Sequence, residues 1–180
     1  MSTILPIIEK IRREKRYCDA FAQQVSILHD HVCDFDDVCR VIYNSAEVHP
    51  DCLDRGSGKT NYTASCLGRE GTPGDGAFQL INKRLGGPGH HFNFFPVNQK
   101  VDLTAWKKNE TTIHEHVKKG GNRHALMVFA AEYDDDNEFE IWRPIKIYYH
   151  FALYENNERV GDFMEDVIDN PSPRGYKKIT

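Results

Sequence analysis

Residues 77–117 read AFQLINKRLGGPGHHFNFFPVNQKVDLTAWKKNETTIHEHV, and the succession of textures in this stretch decides the fold. Two short apolar runs, Ala77 to Ile81 and Phe92 to Val97, flank Leu85-Gly86-Gly87-Pro88-Gly89. That is a turn sequence, because glycine adopts backbone angles that other residues avoid. The pattern predicts a strand, a glycine turn and an irregular second strand ending at Pro96. Asp102 then offers the side chain of a helix N-cap, and Leu103, Trp106, Ile113 and Val117 form an apolar stripe at helical spacing. Lys118, Lys119, Gly120 and Gly121 supply cations for the C-terminal dipole and a glycine stop. Strand, turn, strand and helix therefore follow one another within about forty residues.

Upstream, residues 5–45 read as helical, with Ile8, Ile11, Tyr17, Phe21, Val25 and Leu28 recurring mostly three or four apart and a second short helix over Asp34 to Tyr43. This predicts a helical N-terminal extension over residues 1–48. From His49 to Asp75, five glycines with Pro50 and Pro73 mark a loop-rich connection that holds one or two short strands around Tyr62 to Leu67. Downstream, His124 to Tyr133 and Glu138 to Tyr154 are rich in β-branched and aromatic residues and read as strands, joined by a polar turn over Asp134 to Asn137. Pro144 places the second of these at a sheet edge or a bulge. The expected fold class is α+β with an antiparallel sheet, the main domain covering 49–169, its compact core about 75–120, and a flexible tail over 170–180.

The 180 residues are 39% hydrophobic and 28% charged, enough to bury a core and too apolar for global disorder. No apolar run reaches the roughly eighteen residues of a membrane-spanning helix, and the N-terminal stretch lacks a secretion-signal pattern. The expectation is a protein without a membrane role, cytoplasmic or exported by a signal-less route. The formal net charge of −4 argues against a generic basic nucleic-acid binder. Its distribution argues otherwise. Residues 76–124 hold eight Lys or Arg against three acids, while Glu132 to Glu140 carries six acids in nine residues.

Cys18, Cys33, Cys39, Cys52 and Cys66 contain no C-x-x-C pair, which excludes a zinc ribbon. They fit reduced thiols, or two disulfides and one free thiol in an exported protein. Gly56-Ser57-Gly58-Lys59-Thr60 ends like a P-loop, but Leu53 occupies the position of its first glycine.

Leu85-Gly86-Gly87-Pro88-Gly89, Asn93-Phe94-Phe95-Pro96-Val97-Asn98 and Asp102-Leu103-Thr104-Ala105-Trp106 resemble the DNA/RNA non-specific endonucleases of the ββα-metal, or His-Me finger, superfamily, over about residues 75–152. The resemblance implies a ββα-metal finger acting on DNA or RNA phosphodiesters without sequence specificity, with one Mg²⁺ or Mn²⁺. It places the metal-binding residue on Asp102 and the helical Glu that supports the metal's water shell on Glu110. Independently, Glu110 interrupts the apolar stripe of the helix, where a carboxylate has to be solvated, paired or bound to a cation. Lys83, Arg84, Lys107 and Lys108 flank this pair and are the candidate phosphate contacts. Such domains commonly serve as toxins or effectors.

The departure from the family lies at its general base. The family's histidine falls on Gln79, whose amide cannot take a proton. Natural loss, engineered inactivation, and replacement by His90 or His91 at the end of the glycine turn all remain open. Asp54-Arg55-Gly56-Ser57 is similar to the family's Asp-Arg-Gly-His with Ser for His, but lies far upstream of the glycine turn. His114 and His116, two apart on the helix, cannot share a metal and read as surface residues. The expectation from another class is a non-catalytic pseudo-nuclease that binds a protein partner, an inhibitor or target, through the helical arm or acidic hairpin.

Overall fold

Ala125, Met127, Phe129 and Ala131 point to one face of strand β6 (Arg123–Tyr133), while Val128 and Ala130 point to the other. Both faces are buried, so the strand is apolar almost throughout and its sheet needs a layer on each side. The structure, a computed structural model, describes residues 1–20 and 22–174. It is an α+β fold whose six-stranded antiparallel sheet runs β1 (Cys18–Ala20), β2 (His29–Phe35), β3 (Val41–Val48), β6, β7 (Pro144–Glu155) and β8 (Glu158–Asp169).

One face is covered by helix α1 (Leu5–Lys15), which buries Ile8 and Ile11 against Ile42, Val128, Ala130 and Tyr148. The other face is covered by strands β4 (Asp75–Gln79) and β5 (Phe94–Asn98), which pair only with each other, and by helix α3 (Thr104–Lys118). Trp106 is the hub of this second layer. Its ring meets Phe78 on β4 at 4.8 Å, Tyr149 at 4.8 Å, Phe151 at 5.3 Å and Phe129 at 5.5 Å between centroids. Aromatic pairs at these separations add attraction beyond their buried area, which fixes the helix on the sheet.

The strand–turn–strand–helix order predicted for 77–117 is present. The turn between β4 and β5 depends on two glycines. Gly86 sits at φ +95°, in the left-handed region, and a Cβ on Gly87 would lie 1.6 Å from the carbonyl oxygen of Ile81. Gly87→Ala is expected to destabilise the fold by about 1–3 kcal/mol or more, since the obstacle is backbone that has to shift. A chemical-denaturation midpoint unchanged from the parent would contradict this packing.

Elsewhere the structure departs from the sequence reading. Helix α1 ends at Lys15, and residues 18–48 form three strands of the main sheet where helices were expected over 5–45; Phe21 lies outside the described residues. The reason is polar burial. Asp34 on β2 is fully buried because Arg12 and Arg16 reach it, and Asp36 is buried with Arg40, so these strands look too polar to alternate. Tyr62 to Leu67 lies within helix α2 (Asn61–Glu70), not a strand, and Thr60 caps it by accepting from the Thr63 N–H at 3.1 Å. Strand β7 starts at Pro144, beside a register shift against β6 and inside the sheet rather than at its edge. Strand β8 was not foreseen. Its signal is Asn156-Asn157, both at positive φ, the conformation of a two-residue hairpin turn. The start of the expected tail is tied down: the Asn170 side chain accepts from the Asn98 N–H at 2.9 Å and donates to the carbonyls of Pro96 and Pro144. Residues 175–180 lie outside the described residues.

Candidate functional site

The glycine turn is closed by Asn93, which is fully buried at the start of β5. Its amide donates to the carbonyls of Ile81 (2.9 Å) and Pro88 (3.0 Å), and its oxygen accepts from the Ile81 N–H (3.0 Å). Gln79, the last residue of β4, completes the tie. Its Nε2 donates to the carbonyls of Ser57 (2.9 Å) and Pro88 (3.3 Å), while its Oε1 accepts from the Lys83 N–H (3.3 Å). The side chain expected at the general-base position therefore joins three backbone segments.

One of those segments is Asp54-Arg55-Gly56-Ser57, remote in sequence but laid directly along the turn. The N–H groups of Asp54, Gly56 and Ser57 donate to the carbonyls of Arg84, Lys83 and Gly87, and Ser57 Oγ accepts from the Gly89 N–H at 2.8 Å. The sequence distance that set this tetrapeptide aside is spanned by helix α2, which returns the chain to the turn. Asp54 also reaches the helix: its Oδ2 lies 3.1 Å from His114 Nε2, and its Oδ1 lies 3.8 Å from Arg84 Nε. His114 is accordingly buried, contrary to its reading as a surface residue. His116 points elsewhere, its Nε2 lying 2.9 Å from the Tyr154 carbonyl.

Asp102 is exposed just before α3, and its Oδ1 accepts from the Thr104 N–H at 2.9 Å. Hydrogen bonding from Thr104 holds its carboxyl below the usual range. Glu110 is half-buried two turns further along. Burial pushes its carboxyl up to about 7, against the opposing hydrogen bond from Trp106 and the charges of Lys107 and Arg84. Arg84 and Lys107 thus face Glu110 electrostatically, and Lys83 and Lys108 are exposed nearby in sequence.

His90 and His91 are engaged in the scaffold. His90 Nδ1 accepts from the Phe92 N–H at 3.5 Å, and its ring packs on Phe92; burial lowers its pKa. His91 Nε2 lies 2.7 Å from Glu70 Oε1 on α2. The acidic connection between β6 and β7 is partly spent on internal bonds: Asp135 pairs with Arg40, Glu132 accepts from the Tyr148 hydroxyl, and Glu140 accepts from Ser172. All five cysteines are free thiols. Among the described residues, no helix is long and apolar enough to cross a membrane.

No family model matches the sequence, and no curated protein matches it. Among solved structures, the chain is similar to an extracellular endonuclease, with a TM-score of 0.52 over 84% of this chain and 86% of that one. The fold resembles that of this endonuclease. The two chains share 9% identity, so the likeness shows the fold and leaves the chemistry to the residues. Within this fold, strands β4 and β5 with helix α3 form the ββα finger, Gln79 closes its first strand, and Asp102 and Glu110 stand just before and in the middle of its helix. Asp54 and Ser57 beside the finger, and His114 on its helix, were not placed together by the sequence reading; the Asp-Arg-Gly-Ser tetrapeptide that it set aside was the signal for the first two.

Proposed function

We propose that the protein is a nuclease-like domain that binds the phosphate backbone of DNA or RNA without sequence specificity, with hydrolysis impaired in this chain by Gln79. The observation that carries this reading is Glu110, a carboxylate desolvated on the finger helix and faced by Arg84 and Lys107. An apolar stripe has no packing reason to hold a carboxylate there, and one desolvated acid with flanking cations suits phosphate and a cation together.

Asp102 and Glu110 are oxygen donors, the set that Mg²⁺ or Mn²⁺ takes, and Asp102 commits one oxygen to Thr104 while exposing the rest. Carboxylates of this kind suit a hard dication, which if bound would supply Lewis-acid polarisation of a phosphoryl oxygen. Arg84 and Lys107, with Lys83 and Lys108, orient the backbone through phosphate contacts. Gln79 holds the glycine turn and moves no proton. Asp54 ties His114 of the finger helix to the segment along the glycine turn and also pairs with Arg84.

The test is binding at low salt followed by a salt series. The chain is expected to retain single- or double-stranded nucleic acid, with log K falling linearly in log salt. Arg84→Ala and Lys107→Ala should each reduce that slope by about 1, uniformly across sequences. Failure to retain either DNA or RNA would overturn the reading and favour a module that binds a protein partner.

A further inference from the structure

A second group of ligand-bearing side chains stands outside the finger. His29 opens β2, and Asp51 and Cys52 lie in the single helical turn Pro50–Cys52 that follows β3. His29 Nε2 is 3.0 Å from Asp51 Oδ1 and 3.1 Å from Oδ2, and Cys52 Sγ is 3.7 Å from Asp51 Oδ1. All three ligand atoms lie within 4.8 Å of one another. A tetrahedral zinc site with ordinary bond lengths has N···O edges of about 3.3 Å and S···O edges of about 3.6 Å. The two edges that meet at Asp51 therefore already stand close to the spacing that one small ion requires, with the third within 4.8 Å.

The surroundings hold them there. His29 stacks on His49 at 4.1 Å, His49 on His124 at 4.8 Å, and His124 on Tyr154 at 4.9 Å, so the outermost ring is backed by a column that crosses one end of the sheet. Cys52 is fully buried, with its thiol donating to the Ile27 carbonyl, while the His29 and Asp51 side chains remain 42% and 62% exposed. The group is thus a closed floor of sulfur with an open mouth of nitrogen and oxygen. Imidazole with sulfur selects zinc or a similar transition metal over Mg²⁺.

We propose that His29, Asp51 and Cys52 bind one Zn²⁺, with water in the remaining position. Cys52 binds as the thiolate; its proton passes to solvent and its bond to Ile27 is given up. The ion pins the turn after β3, and Cys52 backs directly onto the finger: a Cβ on Gly86 would lie 2.8 Å from the Cys52 Cβ. This inference does not depend on the nucleic-acid reading.

The test is a Co²⁺ titration of the full, reduced, metal-free chain, read by its near-ultraviolet thiolate-to-cobalt absorption. One equivalent is expected to bind and to be displaced by one equivalent of Zn²⁺ but not by Mg²⁺. Cys52→Ser should abolish the band, Cys66→Ser should keep it, and His29→Gln should weaken binding at least tenfold. His29 is exposed, so that variant decides the matter if Cys52→Ser fails to fold. Absence of the band at stoichiometric Co²⁺, its survival in Cys52→Ser, or undiminished affinity in His29→Gln would each overturn the site.

Discussion

Gln79→His is expected to raise divalent-metal-dependent cleavage of plasmid DNA by about 10²–10⁴ over the unaltered chain, the range a well-placed general base supplies. The position suits the exchange. Gln79 ends β4 beside the turn, and its amide donates to the carbonyls of Ser57 and Pro88. A histidine there can donate one ring N–H to either carbonyl and leave its other nitrogen free to accept a proton. Adding Asp102→Ala to Gln79→His should remove the gain, because Asp102 is the proposed cation ligand. A folded Gln79→His chain that cleaves neither DNA nor RNA with Mg²⁺ or Mn²⁺ would remove the nuclease reading. Cleavage by the unaltered chain that disappears in Asp102→Ala would show instead that another group accepts the proton.

Arg143→Ala is expected to cost about 3–5 kcal/mol, the loss that follows when one partner of a buried ion pair is removed. Arg143 is 1% exposed and the Asp75 side chain 4%. Its Nε and Nη2 donate to the two Asp75 oxygens at 2.8 Å each, and further bonds reach Asn170 and the Pro171 carbonyl. Asp75 begins the first finger strand, Arg143 precedes β7, and Asn170 follows β8, so one guanidinium joins the finger to both ends of the outer hairpin. For a chain of this length the loss corresponds to a fall in Tm of roughly 10 °C. Arg143→Lys should recover only part, because an ammonium cannot reproduce the fork. Combining Arg143→Met with Asp75→Leu should cost less than the two single changes together, since no charge is left buried alone. A Tm within experimental error of the parent for Arg143→Ala would show that the pair does not hold the finger.

Both experiments bear on features of unequal legibility. Gln79 could be placed from the sequence because the glycine turn, the Asn93 segment and the helix are local, and each is specified by turn chemistry or by a 3.6-residue period. What Gln79 does could not, because its 2.9 Å acceptor, the Ser57 carbonyl, is brought in from a segment twenty-two residues upstream. The sequence around Arg143 carries no local sign that its guanidinium is buried. Its burial follows from Asp75, sixty-eight residues away.

The sequence alone determined the order strand, glycine turn, strand and helix, the positions of Asp102 and Glu110 on it, and the basic character of that segment. These depend on neighbours within a turn or two of chain, where side-chain period and glycine dihedrals act directly. Tertiary structure alone decided that β1, β2 and β3 stand where helices were expected, since the buried Asp34 and Asp36 are tolerable only with Arg12, Arg16 and Arg40 in contact. It also laid Asp54 to Ser57 on the glycine turn, buried His114 against Asp54, and gathered His29 with Asp51 and Cys52. Most of these rest on a polar group paired with a residue distant in sequence. Such pairing leaves no local periodicity, and only the folded sheet with its covering layers brings the partners together.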